Sequence, residues 1–201
     1  MSVGVADLSL EPALLNLEFE SFTVFGPRRS GRSTALSTIA HQLAANRHEV
    51  WAIGQPGSPL LALDSEVRTP TDLSNETVKT FLEELAETHS AYQTIDRFLI
   101  IDDLDRFDDP SYNASFKKVA DAGVRFIGSA ISARSLGIGN PVTKQLKSPT
   151  AALLLKGEDE ATLTNLIGTR FRVRPGLEMV PGRGILLTNG SGTIVQTATT
   201  I

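Results

Sequence analysis

The chain has 201 residues, 41% hydrophobic and 21% charged, and carries a formal net charge of −4. A chain this long buries roughly 70% of its unfolded surface, which suits one globular domain over residues 1–201. It has no cysteine, which excludes disulfides and thiolate metal sites and fits a reducing compartment; no apolar run nears the roughly 20 residues of a membrane span, the N-terminus does not read as a signal peptide, and the acidic balance argues against a surface built for nucleic-acid phosphates.

Residues 1–18 read as a lead-in whose Leu8, Leu10, Leu14, Leu15 and Leu17 offer apolar contacts, and 19–201 as the core. A first strand is predicted over 19–25, where Phe22, Val24 and Phe25 end a β-prone run. It leads into Gly26-Pro27-Arg28-Arg29-Ser30-Gly31-Arg32-Ser33-Thr34, the frame of a phosphate-binding loop, Gly-x-x-x-x-Gly-Lys-Ser/Thr, with Arg32 at the lysine position. Loop amides and the following helix N-terminus cradle a β-phosphate, and a hydroxyl such as that of Ser33 ligates Mg²⁺. Arginine keeps the positive charge but is longer and fork-shaped, where lysine is a compact point charge. Nucleotide binding is therefore predicted more firmly than efficient hydrolysis. Arg28 and Arg29 add charge and face either phosphate, a neighbouring subunit or solvent.

Leu36, Ile39, Ala40 and Leu43 recur at helical spacing and place a helix over 31–45. A second strand spans 50–53 and stops at the Pro/Gly-rich turn 55–59. Val78, Phe81, Leu82 and Leu85 form one face of a helix starting near Ser74 or Asn75. The apolar run Phe98-Leu99-Ile100-Ile101 then ends in Asp102 and Asp103. Asp102 sits where a Walker B aspartate holds Mg²⁺, directly or through water. Asp103 sits where many ATPases place a glutamate that orients or deprotonates the attacking water. It is one methylene shorter, and a misplacement near ~1 Å can cost around a hundredfold in rate.

Phe116, Val119 and Ala120 mark another helix, closed by Gly123, and 124–127 a strand running into Gly128-Ser129. Ser129 is placed like a polar sensor facing the γ-phosphate. Arg125, Arg134, Arg170 and Arg172 are candidate trans-acting arginine fingers. A strand over 151–155, a helix over 158–167 and strands over 184–188 and 193–196 follow. The last two flank Asn189-Gly190, a strong hairpin signal. Apolar strands alternating with helices predict an α/β fold with a mainly parallel sheet, helices on both faces and a C-terminal β-hairpin.

The runs GPRRSGRSTAL, FLIIDDLDRF and PGRGILLTNGSGTIVQ together resemble the FtsK/SpoIIIE-type P-loop ATPases, in particular the tandem ATPase domains of the EccC/EssC type VII secretion motors. The resemblance runs from Leu8 to Gln196. It implies a RecA-like fold on the cytosolic face of a membrane-anchored complex, the membrane being reached through other parts of the full protein. It also implies ATP and Mg²⁺ as ligands, with sibling ATPase domains and the C-terminal signal of small helical secreted proteins as partners. Arg32 and Asp103 depart from the family's lysine and glutamate and put this chain with its degenerate, regulatory domains. Two other readings stand beside it: a DNA-translocating FtsK-type motor, and a protein-binding module that keeps the fold without nucleotide.

Overall fold

The computed structural model describes residues 1–7, 9–16, 21–63, 67–88, 96–156, 180–188 and 190–197. The strands are β1 (Ser2–Ala6), β2 (Pro12–Leu14), β3 (Ser21–Phe25), β4 (Glu49–Ile53), β5 (Arg97–Ile101), β6 (Arg125–Ala130), β7 (Ala151–Leu155), β8 (Arg183–Thr188) and β9 (Ser191–Thr197). The helices are α1 (Arg32–Ala45), α2 (Asn75–Glu87), α3 (Asn113–Asp121) and α4 (Pro141–Lys147), with short 3-10 turns at Pro59–Leu63, Leu104–Arg106 and Pro110–Tyr112. All these strands join one sheet in the order β2-β1-β9-β8-β7-β3-β6-β5-β4. The helix expected over 158–167, together with Arg170 and Arg172, lies outside the described residues.

The sheet is mixed, which corrects the expectation of a mainly parallel one. From β4 through β5, β6 and β3 to β7 every neighbour is parallel. From β7 through β8, β9 and β1 to β2 every neighbour is antiparallel. Parallel neighbours need a crossover of a dozen or more residues, whereas the tight turn between β8 and β9 and the short link between β1 and β2 allow only antiparallel pairing. The lead-in thus contributes two strands that its leucines did not announce. Leu10 and Leu14 are exposed, while Val3, Ala13 and Leu15 carry the buried contacts.

Alternate residues of the parallel strands feed two apolar cores, as a two-residue side-chain period requires. Phe22, Val24, Val50, Ala52, Phe98 and Ile100 pack with Leu36, Ile39 and Leu43 of α1. Phe25, Trp51, Ile53, Leu99 and Ile101 pack with residues of α2, α3 and α4, among them Phe81, Phe116 and Leu146. Side chains of helix α1 also bond to the backbone of neighbouring segments. The Ser37 hydroxyl donates to the Pro59 carbonyl at 3.3 Å. The Gln42 side chain exchanges two hydrogen bonds with the backbone of Ser2, at 3.0 and 2.7 Å. The first strand of the lead-in therefore pins the helix that follows the loop 26–34.

Candidate functional site

Strand β3 lies between β7 and β6, so the loop 26–34 leaves a central strand at its carboxyl end, where open α/β sheets bind ligands. Gly31 has φ 101°, a left-handed conformation that favours glycine, and turns the chain into α1. Helix α1 has neither a side-chain cap nor an acidic residue in its first turn, which leaves its leading amides to an anion. A Cβ at Gly26 would lie 2.6 Å from Ser30 Oγ, so glycine there makes room for that hydroxyl. Ser30 is buried, and its Oγ has no hydrogen-bond partner among the described residues. Ser33 and Thr34 are half-buried on the first turn of α1, and Pro27, Arg28 and Arg29 are exposed at the loop tip.

Asp102 directly follows β5 and is 2% exposed. Its Oδ1 accepts from Ser129 Oγ at 2.6 Å and its Oδ2 from Ser58 Oγ at 2.9 Å. The same Ser129 oxygen accepts the Asp103 amide at 3.1 Å. Ser129, expected as a γ-phosphate sensor, thus places its hydroxyl against both acidic residues and is itself fully buried on β6. This clamp accompanies a left-handed backbone at Asp103, with φ 57° and ψ 60°, which bends the chain sharply out of the strand.

The two residues that depart from the motif pattern are paired with each other. Arg32 Nη2 donates to Asp103 Oδ1 at 2.8 Å, with the two side chains 10% and 34% exposed. Arg32 Nη1 is buried and has no hydrogen-bond partner among the described residues. A charge-assisted bond in such a sheltered setting is stronger than a surface ion pair. Arg32 and Asp103 stand 71 positions apart in sequence. They meet because β3 and β5 both flank β6 and end on the same side of the sheet.

The glycine-rich turn at 181–184 braces the loop from the antiparallel side. The Gly182 amide donates to the Ser30 carbonyl at 2.8 Å, and the Gly182 carbonyl accepts from the Thr197 amide at 2.8 Å. A Cβ at Gly31 would come within 3.3 Å of the Gly182 nitrogen, so the two turns are in close contact. Arg183 next to it pairs with Asp7 of the lead-in. Of the finger candidates, Arg125 begins β6 at the sheet end away from the loop and pairs with Asp96 at 3.2 Å. Arg134 is exposed beyond the carboxyl end of β6, on the loop's side. Ser58 is the site residue that motif reading missed. Its signal was positional, a polar residue in the turn after a strand adjacent to β5.

No protein-family model matches this chain, and no curated protein matches it. Solved structures do. A protein described as an ATPase is 22% identical with a TM-score of 0.66, the match covering 100% of this chain and 87% of that one. The cytoplasmic domain of the Thermomonospora curvata type VII secretion ATPase EccC is 18% identical with a TM-score of 0.70, covering 100% of this chain and 26% of that one. Thermomonospora curvata EccC (ATPases 2 and 3) in complex with a signal sequence peptide is 16% identical with a TM-score of 0.68, covering 100% and 40%. The chain spans well under half of either EccC chain. It has, over its whole length, the fold of type VII secretion ATPase domains and related ATPases.

Proposed function

We propose that this chain is a nucleotide-binding, slowly hydrolysing ATPase domain of FtsK/SpoIIIE type, with a regulatory or substrate-recognising role in a type VII protein-secretion motor. The observation that carries this reading is the Arg32–Asp103 ion pair. The residue that would contact the β- and γ-phosphates and the residue that would orient water are engaged with each other. The loop itself remains suited to phosphate, since its helix is uncapped and two buried donors, Ser30 Oγ and Arg32 Nη1, lack partners among the described residues.

The residues 26–34 would hold ATP by their amides. Ser33 and Asp102 would hold Mg²⁺, which when bound supplies charge neutralisation to the phosphates. Asp102 fits that task. It is an acceptor-only carboxylate with one hydroxyl on each oxygen, and each oxygen has a second lone pair. Its two serines fix its orientation. Asp103, paired with Arg32, is held from acting on water until that pair opens.

The fold likeness to EccC, one of whose structures carries a signal sequence peptide, supports sibling ATPase domains and the C-terminal signal of small helical secreted proteins as partners. It also supports a place on the cytoplasmic face of a membrane-anchored complex, with the membrane reached through other parts. Among the described residues no helix is long and apolar enough to cross a membrane.

The test is titration of the folded chain with ATP and Mg²⁺ by calorimetry, followed by titration with secretion-signal peptides and with duplex DNA at matched salt. Nucleotide heat with peptide binding and no DNA binding is expected. Tight, salt-dependent DNA binding without peptide response would establish the DNA-translocating motor instead. No nucleotide heat at millimolar ATP, with peptide still bound, would establish the nucleotide-free module.

A further inference from the structure

Resting on the nucleotide reading above, we infer that Asp103 serves as a built-in stand-in for a γ-phosphate, so that this site prefers a nucleoside diphosphate to a triphosphate. The guanidinium of Arg32 offers two amino groups at the head of the loop. One, Nη2, is occupied by the chain's own carboxylate at 2.8 Å. The other, Nη1, is buried, with no partner among the described residues. Ser30 Oγ, also buried and unpartnered among those residues, lies on the loop that would surround a β-phosphate. The free donors therefore match one terminal phosphate, and the place of the next anion is filled from within.

A third phosphate has two ways in, and both are unfavourable. It can lie beside a carboxylate that is already paired, which sets two like charges at close range where water is partly excluded. Alternatively it can displace Asp103 from Arg32. That gives up a charge-assisted bond whose arginine is nine-tenths buried. It also disturbs an acidic residue anchored by its own amide to Ser129 at 3.1 Å. A diphosphate meets neither penalty. Asp103 is thereby a specificity-determining residue, and its short side chain is suited to reach back to Arg32 from a left-handed backbone position.

Calorimetry with Mg-ADP and with the slowly hydrolysed Mg-β,γ-imido-ATP, on the wild-type chain and on Asp103→Asn, tests this. Asparagine, like aspartate, is among the non-glycine residues that tolerate the left-handed backbone at 103, so the variant keeps the local fold while losing the charge. The wild type is expected to bind ADP at least about tenfold more tightly than the triphosphate analogue. In Asp103→Asn that ratio is expected to fall to about threefold or less, mainly through tighter binding of the analogue. A wild type that binds the analogue as tightly as ADP, or a variant that keeps the full ratio, overturns the inference and leaves nucleotide binding intact. A wild type that binds neither nucleotide overturns both.

Discussion

Ser129→Ala tests whether one hydroxyl organises the acidic half of the site. Ser129 is fully buried, and its oxygen both donates to Asp102 at 2.6 Å and accepts from the Asp103 amide at 3.1 Å. The substitution removes a bond to a buried carboxylate, worth about 1.5–3 kcal/mol, and leaves a backbone donor short of its partner at about 1 kcal/mol more. Shape changes little, so almost no cavity term applies. The combined loss is about 3 kcal/mol, which for a domain of this size lowers Tm by about 6–12 °C. Ser58→Ala is the comparison. It removes the 2.9 Å bond to the other Asp102 oxygen, but Ser58 is only half-buried and water can replace it. That variant should lose about 1 kcal/mol or less. Urea and thermal unfolding at neutral pH read both. A Ser129→Ala shift below about 2 °C, or a Ser58→Ala loss as large as that of Ser129→Ala, would refute the clamp as the organising contact.

Gly182→Ala should weaken nucleotide binding from outside the phosphate loop, because Gly182 holds the Ser30 carbonyl and has φ 80°, where a new Cβ would meet Gln196 Nε2 and Thr197 Oγ1 at 2.8 Å. Gly190→Ala, at φ 73° with nothing within 4 Å, has a similar backbone cost of about 1–2 kcal/mol and should leave ADP affinity unchanged; equal affinity loss in both would show a global effect. Arg32→Lys should raise ATP turnover, since lysine keeps the charge without the longer guanidinium whose Nη2 holds Asp103; steady-state phosphate release no higher than wild type would place the fault at Asp103 instead. Burial first, and then the Asp109 charge, push the Tyr112 phenol above its ordinary value of 10.0, while its hydroxyl donates to Asn75 Oδ1 at 2.6 Å. The neutral phenol is favoured in the fold, so this stabilisation is complete below the unfolded value and is lost as pH rises through the folded one. The urea midpoint should therefore fall more steeply for wild type than for Tyr112→Phe as pH rises from 9 to 11, and parallel curves would contradict the assignment.

The strand, glycine turn and helix around residues 26–34, the acidic end of β5 and the two departures from the usual pattern were legible in the sequence. Each is a local signal: an apolar strand, a glycine turn and a helix for Gly26–Thr34, and a buried strand ending in carboxylates for Asp102. Local chemistry also marked the β8–β9 turn and the start of α2, where the Ser74 side chain caps the helix by accepting the Thr77 amide. Hydrophobic patterning gave β3 to β7 and helices α1, α2 and α3, because each buries a continuous or one-sided apolar surface, but it did not give α4. It gave nothing for β1 and β2, where Leu14 is exposed and where the placement is settled by antiparallel pairing of β2 with β1 and of β1 with β9.

What the two departures do to each other was settled by the tertiary structure alone. Sequence made Arg32 a longer lysine and Asp103 a shorter glutamate, each a separate weakness. Strand order set β3 and β5 on either side of β6, with their carboxyl ends together, and so brought a guanidinium and a carboxylate 71 positions apart to 2.8 Å. The same convergence turned Ser129 onto Asp102 and Asp103 and brought Ser58 in from the β4 turn. The physical reason is that an ion pair depends on distance in space and on shelter from water, and neither quantity is written in the local pattern of residues.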